Sequence, residues 1–295
     1  MSGDRFVVVG DLINDIVVVP RGALRPDTDT PSTIRPRPGG SAANTAAWLG
    51  ALGAPVDFVG AVGSRDSADH ERMLRDQGVT PHLQIEFGVP TGTIVIIVSG
   101  EQRTMLTERG ANALLAPDAV SDGLLASAAV LHLSAYSFLN GFGVDGARRV
   151  IDRARAAGVL VALNPGSVAY VEGYGADAFL ASCAGADLFF PNRAEGRALT
   201  GAGSDEDAVD ALLGHFPTVV LTRGTDGAIA RSRGSEAVAV SAPSVRLVDP
   251  TGAGDAFAAG FLERWLPTRD LRAGLTAGAH LAARAVMAIG GRPPV

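Results

Sequence analysis

Short apolar runs punctuate the chain at residues 6–9, 56–59, 129–133, 159–163, 187–190 and 218–221. Each is too short for a helix, and most are rich in Val, Leu or Phe without polar alternation. That pattern predicts strands covered on both faces, as in a parallel sheet. Helical periodicity lies between them. Residues 144–157 place Ala147, Val150, Ile151 and Ala154 on one stripe, and Gly158 ends it. Residues 205–214 follow Ser204, a good N-cap. Residues 253–265 and 270–289 read as two more helices, the second with an Ala-rich face running up to Gly290-Gly291. Strands alternating with helices predict a doubly wound, mostly parallel α/β sheet.

Two stretches break this rhythm. Residues 13–19 are followed by a Pro/Thr/Arg segment ending at Pro38. Residues 84–89 and 93–98 flank Pro90–Gly92 and read as a hairpin. The pattern therefore predicts a small all-β appendage from residues 13–38 and 83–110, with an edge hairpin on the same sheet as the alternative. The α/β domain would comprise residues 1–12, 39–82 and 111–295.

Composition narrows the function. Of 295 residues, 47% are hydrophobic and 19% charged, enough to bury a large core and too apolar for a disordered chain. A net charge of −6 argues against a nucleic-acid partner. All 25 basic residues are Arg, which removes any Walker A, Schiff-base or protein-kinase lysine. Phosphate, if handled, must meet Arg, backbone amides or a metal. The single cysteine, Cys183, excludes an intrachain disulfide or a Cys metal cluster. The start of the chain has no basic signal region, and no apolar run nears the ~18 residues of a membrane span. The expectation is a cytoplasmic protein with no membrane partner.

Ligands of open α/β sheets bind outside the carboxyl ends of the strands. The residues just past the apolar runs are small, polar or turn-forming: Gly10-Asp11 with Asp15 beyond, Ser134 and Tyr136, Asn164-Pro165-Gly166, Asn192 to Glu195, and Thr222-Arg223-Gly224. The sharpest segment is Asp249-Pro250-Thr251-Gly252-Ala253-Gly254-Asp255-Ala256-Phe257, at the start of an amphipathic helix. Its glycines let the backbone turn tightly, leaving the amides of Ala253, Gly254 and Asp255 as free donors at a helix N-terminus. Asp255 is a poor phosphate ligand, because like charges repel. It suits the role of proton acceptor for a hydroxyl attacking phosphorus.

Residues 249–257 resemble the C-terminal signature of the ribokinase-like (PfkB) carbohydrate kinases. Gly39-Gly40-Ser41-Ala42-Ala43-Asn44, with Ala46, Leu49, Leu52-Gly53 and Gly60-Ala61-Val62-Gly63, resembles the N-terminal one. The resemblance runs over nearly the whole chain. It implies transfer of the γ-phosphoryl group of ATP to a hydroxyl of a small sugar or sugar-like molecule, with Mg²⁺. Asp255 matches the family's general base, and Gly252, Ala253 and Gly254 its anion hole. Asn192 and Glu195 match a motif associated with Mg²⁺ held through water. Asn164, Thr222, Gly224 and His280 match positions along ATP. Asp15, Gly40 and Asn44 match the acceptor site, with Asp11 a second carboxylate there. The β appendage would then be the family's lid; Arg103 and Arg109 lie where it returns, either could reach substrate or nucleotide or stand as a rim charge, and a functional role is expected only for Arg103. Asp249 and Thr251 imply a response to K⁺.

Departures bear on the acceptor. Ser41 stands where ribokinases commonly have Lys, and Ser134 where they place a sugar-binding carboxylate; both weaken a ribose assignment. Phe87, Tyr136 and Phe138 leave a nucleoside acceptor open, although aromatics make up only 5% of the chain. A regulator that binds sugar or nucleotide without turnover is a second alternative, and the retained Asp255 argues against it. A dinucleotide-dependent dehydrogenase is disfavoured, because no G-x-G-x-x-G follows Val9. An Ile- and Val-rich lid face suggests pairing with a second copy.

Overall fold

The computed structural model describes residues 4–99, 102–139 and 141–294. Its strands are β1 Phe6–Val9, β2 Ile13–Pro20, β3 Ser32–Gly39, β4 Val56–Gly63, β5 Val79–Glu86, β6 Gly92–Ser99, β7 Gln102–Glu108, β8 Val130–Ser134, β9 Leu160–Asn164, β10 Leu188–Phe189, β11 Thr218–Thr222, β12 Ala228–Ser232 and β13 Val238–Val240. The helices are α1 Ser41–Ala51, α2 Ser67–Asp76, α3 Asp122–Ser127, α4 Gly143–Ala156, α5 Val168–Tyr174, α6 Ala176–Ser182, α7 Arg193–Thr200, α8 Asp205–Leu212, α9 Ala253–Thr268 and α10 Leu271–Ala285.

Nine strands form one sheet in the order β13-β12-β11-β10-β9-β8-β1-β4-β5. Strands β5 through β11 of that sheet run parallel, and β12 and β13 add an antiparallel edge. Successive residues of β1 serve opposite cores. Val7 and Val9 pack with Val150, Ile151 and Phe179 on one face. Phe6 and Val8 pack with Trp48, Phe261 and Leu275 on the other. This two-sided burial is why the strands read as unbroken apolar runs. From β1 the chain winds outward to β4 and β5, then returns to β8 and winds the other way. The crevice at that reversal is where such sheets bind ligands.

The second sheet has four strands in the order β3-β2-β6-β7. Ile13 of β2 pairs with Gly39 of β3 and, in parallel, with Gly92 of β6. Val19, Ile34, Met105 and Leu106 leave exposed apolar side chains on this sheet.

The expected hairpin about Pro90–Gly92 does not form, and residues 83–86 belong to the large sheet rather than the small one. β5 pairs with β4 in parallel, Val56 against Val79 through Gly63 against Glu86. β6 joins the other sheet. The crossing is pinned by Thr91, whose Oγ1 accepts from Gly63 N at 2.9 Å and donates to Asp66 Oδ1 at 2.5 Å. The true hairpin is β6–β7, with Ser99 opposite Gln102.

The last helix stops four residues before the expected end. The Val286 carbonyl accepts from Val248 N at 2.8 Å and Asp249 N at 3.1 Å, and Gly290 N donates to Asp249 Oδ2 at 2.9 Å. Continuing the helix would withdraw those groups from the 249–252 loop. Among the described residues no helix is long and apolar enough to cross a membrane.

Candidate active site

Asp255 stands in the first turn of α9, partly exposed, where the packed N-termini of α1 and α9 meet. Its Oδ1 accepts from Ser41 Oγ at 2.7 Å and its Oδ2 from Asn44 Nδ2 at 2.9 Å. Burial pushes its carboxyl up to about 7; these two hydrogen bonds oppose the rise, and Asp11 and Asp15 add to it. Each carboxylate oxygen keeps a lone pair for a further donor.

The loop before α9 is shaped by Gly252, at φ +75°, where a Cβ would run into the Gly291 backbone. Gly254 has the opposite reason to be glycine: no atom lies within 4 Å of where its Cβ would be, so the backbone faces open space. The structure corrects one expected donor. Ala253 N is directed to Pro250 O at 3.3 Å, and Ala256 N to Gly252 O at 2.9 Å. Among the described residues, no hydrogen bond takes the amides of Gly252, Gly254 and Asp255. Asp249 holds this loop in place. Its Oδ1 accepts from Thr251 N at 2.9 Å and Thr251 Oγ1 at 2.6 Å, while Oδ2 accepts from Gly290 N.

Two cavities meet at this loop. The first, about 270 Å³, is mostly polar and lined by Ser41, Tyr136, Asn164, Asn192, Glu195 and Asp255, among others. The second, about 440 Å³, is mostly apolar; Thr222, Gly224, Val245, Leu247, Ala279 and Val286 are among its lining residues. Thr222, Pro250, Ala253, Gly254 and Phe257 line both. Asn192 and Thr222, at neighbouring strand ends, are joined by a parallel bridge.

His280 does not line the second cavity. Ala279, Ala282, Ala283 and Val286 face it, and the helical period turns His280 outward, where it is exposed.

Asn192 and Glu195 form a reciprocal cap on α7. Glu195 N donates to Asn192 Oδ1 at 2.9 Å, and Asn192 N donates to Glu195 Oε2 at 2.8 Å. Glu195 is 5% exposed, and burial raises its carboxyl to about 7 despite that cap. Asn164 Oδ1 is buried with no hydrogen-bond partner among the described residues. An under-stabilised carboxylate and an orphan amide oxygen on one polar cavity fit a divalent cation held largely by water and phosphate. Among the described residues no three His, Cys, Asp or Glu side chains cluster as a protein cage for a metal.

On the acceptor side, Asp15 is 6% exposed and its carboxylate makes no hydrogen bond among the described residues. Burial raises it to about 7, with Asp11 adding to the rise and Arg292 opposing it. Asp11 has another task. Its oxygens accept from Ser41 N at 2.9 Å and Ala42 N at 3.3 Å, so it caps α1. Gly40, at φ +94°, sits so near the Asp11 carbonyl that no side chain fits. Arg103 lies in β7, and its side chain lies outside the described residues.

Two participants escaped the sequence reading. Ser41 registered only as a departure from a family lysine, yet it donates to Asp255. Arg292, 7% exposed, donates from Nη2 to Gly39 O at 3.1 Å behind Asp15. Nothing in its Gly-Gly-Arg-Pro-Pro context distinguished it from a tail charge.

The pfkB family carbohydrate kinase model matches residues 4–295. The chain belongs to the PfkB family of carbohydrate kinases. Among curated relatives, the ATP-dependent ribose-1-phosphate kinase of Halopiger xanaduensis is 30% identical over 258 residues, covering 85% of this chain and 81% of that one. The bifunctional protein HldE of Shewanella baltica is 31% identical over 269 residues, covering 85% of this chain; the chain spans 53% of HldE. Among solved structures, the adenosine kinase of Sinorhizobium meliloti superposes with TM-score 0.88 at 27% identity, covering 100% of this chain and 97% of that one. A putative ribokinase II from E. coli, solved with ATP and Mg²⁺, shares the fold with TM-score 0.85 at 22% identity, covering 98% and 94%. This PfkB kinase is therefore an enzyme of the sugar and nucleoside kinase class.

Proposed function

We propose that this PfkB kinase transfers the γ-phosphoryl group of ATP to a hydroxyl of a small sugar or sugar-like acceptor. One observation carries the reading. The Asp255 carboxylate and the open Gly254 amide stand together where an apolar cavity of nucleobase size meets a polar cavity able to hold phosphates.

The adenine would fill the cavity between Val245 and Val286, and its phosphates would pass Thr222 and Gly224. Asp15 and Asn44 would hold the acceptor. As the acceptor oxygen bonds to phosphorus and the bond to the ADP oxygen breaks, the hydroxyl proton moves to Asp255. The free Gly252, Gly254 and Asp255 amides meet the charge on the transferring oxygens. Glu195, Asn192 and Asn164 would hold Mg²⁺, which supplies charge neutralisation when bound.

Asp255→Asn keeps the shape and removes the basicity. Turnover should fall ~10²-fold or more while ATP binding persists. Unchanged turnover would overturn the assignment. A nucleoside acceptor is the second reading. It is supported by Tyr136 on the cavity wall and by likeness to an adenosine kinase. Comparing ADP release with sugars and with nucleosides separates the two.

A further inference from the structure

Arg109 follows β7, where the chain re-enters the large domain, and is half-buried. Its guanidinium carbon lies 4.5 Å from the centroid of the Tyr136 ring. Among the described residues it has no carboxylate partner. The adjacent Glu108 turns its Oε1 to Gly110 N at 3.3 Å instead. By contrast Arg193, beside Glu195, is taken by Asp205 at 2.9 Å and Asp226 at 2.8 Å.

The other side of this arginine's setting is the reaction cavity. Tyr136 lines it together with Ser41 and Asp255. Arg109 is also tied to the acceptor strand. Asn112 Nδ2 donates to Arg109 O at 3.2 Å and to Leu12 O at 2.8 Å, and Asn112 Oδ1 accepts from Leu12 N at 2.9 Å. Leu12 lies between Asp11 and Asp15. A clamp thus holds the Arg109 backbone beside the segment that carries the acceptor carboxylate, while the Tyr136 ring orients the guanidinium. A stacked guanidinium keeps its hydrogen-bonding edge available for an anion. The carboxylates Asp15 and Asp255 repel a second negative charge, so an anionic acceptor must present its anion away from them and its hydroxyls toward them.

We propose that Arg109 and the Tyr136 ring form a subsite for an anionic group on the acceptor, a phosphate monoester or a carboxylate, so that the acceptor is a charged sugar rather than a neutral one. This rests on the kinase reading above.

The test measures ADP release and, separately, calorimetric binding for ribose and fructose. Each is compared with its monophosphates and with aldonic acids of five and six carbons. Charged sugars should bind and turn over best, with phosphates against acids deciding which anion is used. Arg109→Gln should raise the KM or Kd for charged acceptors about 10–100-fold, the range expected for a lost charged hydrogen bond. It should leave the KM for ATP and binding of neutral sugars unchanged. Arg109→Lys should recover part of the loss. Preferred binding of neutral sugars, or equal weakening for neutral and charged sugars in Arg109→Gln, overturns the subsite. The kinase reading fails by a different result: binding of acceptors without any ADP release.

Discussion

Asn14 donates its Nδ2 to Oδ2 of Asp66 at 2.7 Å, and this bond ties the small sheet to the turn that follows β4 of the large one. Asn14 lies in β2, one residue before Asp15, while Asp66 precedes α2 at the end of β4. Thr91, at the second root of the small sheet, donates to the other oxygen of the same carboxylate. His70 Nε2 stands 3.4 Å away. Burial works against the charged Asp66, but the Thr91 and Asn14 hydrogen bonds and His70 outweigh it and hold the carboxyl below the usual range. Asp66 therefore fastens both strands that lead into the small sheet, and it stays ionised well into acid.

Thr91→Val should loosen that fastening. It removes two hydrogen bonds, each worth roughly 1 kcal/mol, from a hinge, not from a core. Amide exchange in β2 and β6 should speed up, and ATP hydrolysis without acceptor should increase as water enters. The melting temperature should move by only a few degrees. Unchanged exchange in both strands would show that Asp66 does not govern the small sheet.

The acid limb of kcat/KM should fall near pH 7 rather than near 4. Asp255 and Asp15 are each raised to about 7, Asp11 adds to the rise of both and Asp15 to that of Asp255, so the limb belongs to the group as a whole. Ser41→Ala removes a donor that favours ionised Asp255, so the limb should move to higher pH. A pH–rate profile of the wild type and this variant checks both statements.

The same shift has a sign for stability. A carboxyl raised in the folded state holds a proton that the unfolded chain has released between about pH 4 and pH 7. Stability falls as pH rises through that window, and the penalty is full above it. Asp255→Asn should thus be more heat-resistant than wild type at pH 8, with the advantage fading toward pH 4. Thermal melts at the two pH values decide this.

The two loop glycines should respond differently to a methyl group. Gly252→Ala sets a side chain at positive φ against the Gly291 backbone and should cost at least about 1–2 kcal/mol of stability. Gly254→Ala meets no atom and should fold normally, but it intrudes where the phosphates pass and should raise the KM for ATP. Melting curves and ATP titrations of both variants test the contrast.

Local pattern carried the parallel strands, because a strand covered on both faces must be apolar throughout. It also carried the loop at 249–257, because a tight turn before a helix selects glycine. The partition into two sheets was legible only in outline. β5 and β6 have similar strand-like composition, and the choice of partner for each depends on which edge β4 and β2 leave open.

The amino-acid sequence alone determined the family, the α/β alternation and the helix start that carries Asp255, since each is written in short-range periodicity or a contiguous motif. Only the tertiary structure decided that Ser41 and Asn44, more than two hundred residues earlier, meet that carboxylate. It also decided that Asp11 caps a helix, that His280 faces outward, and that Arg109 lies on Tyr136. Such contacts join segments distant in the chain, and packing of two cores on one sheet sets them; no local pattern records which side chains that packing brings together.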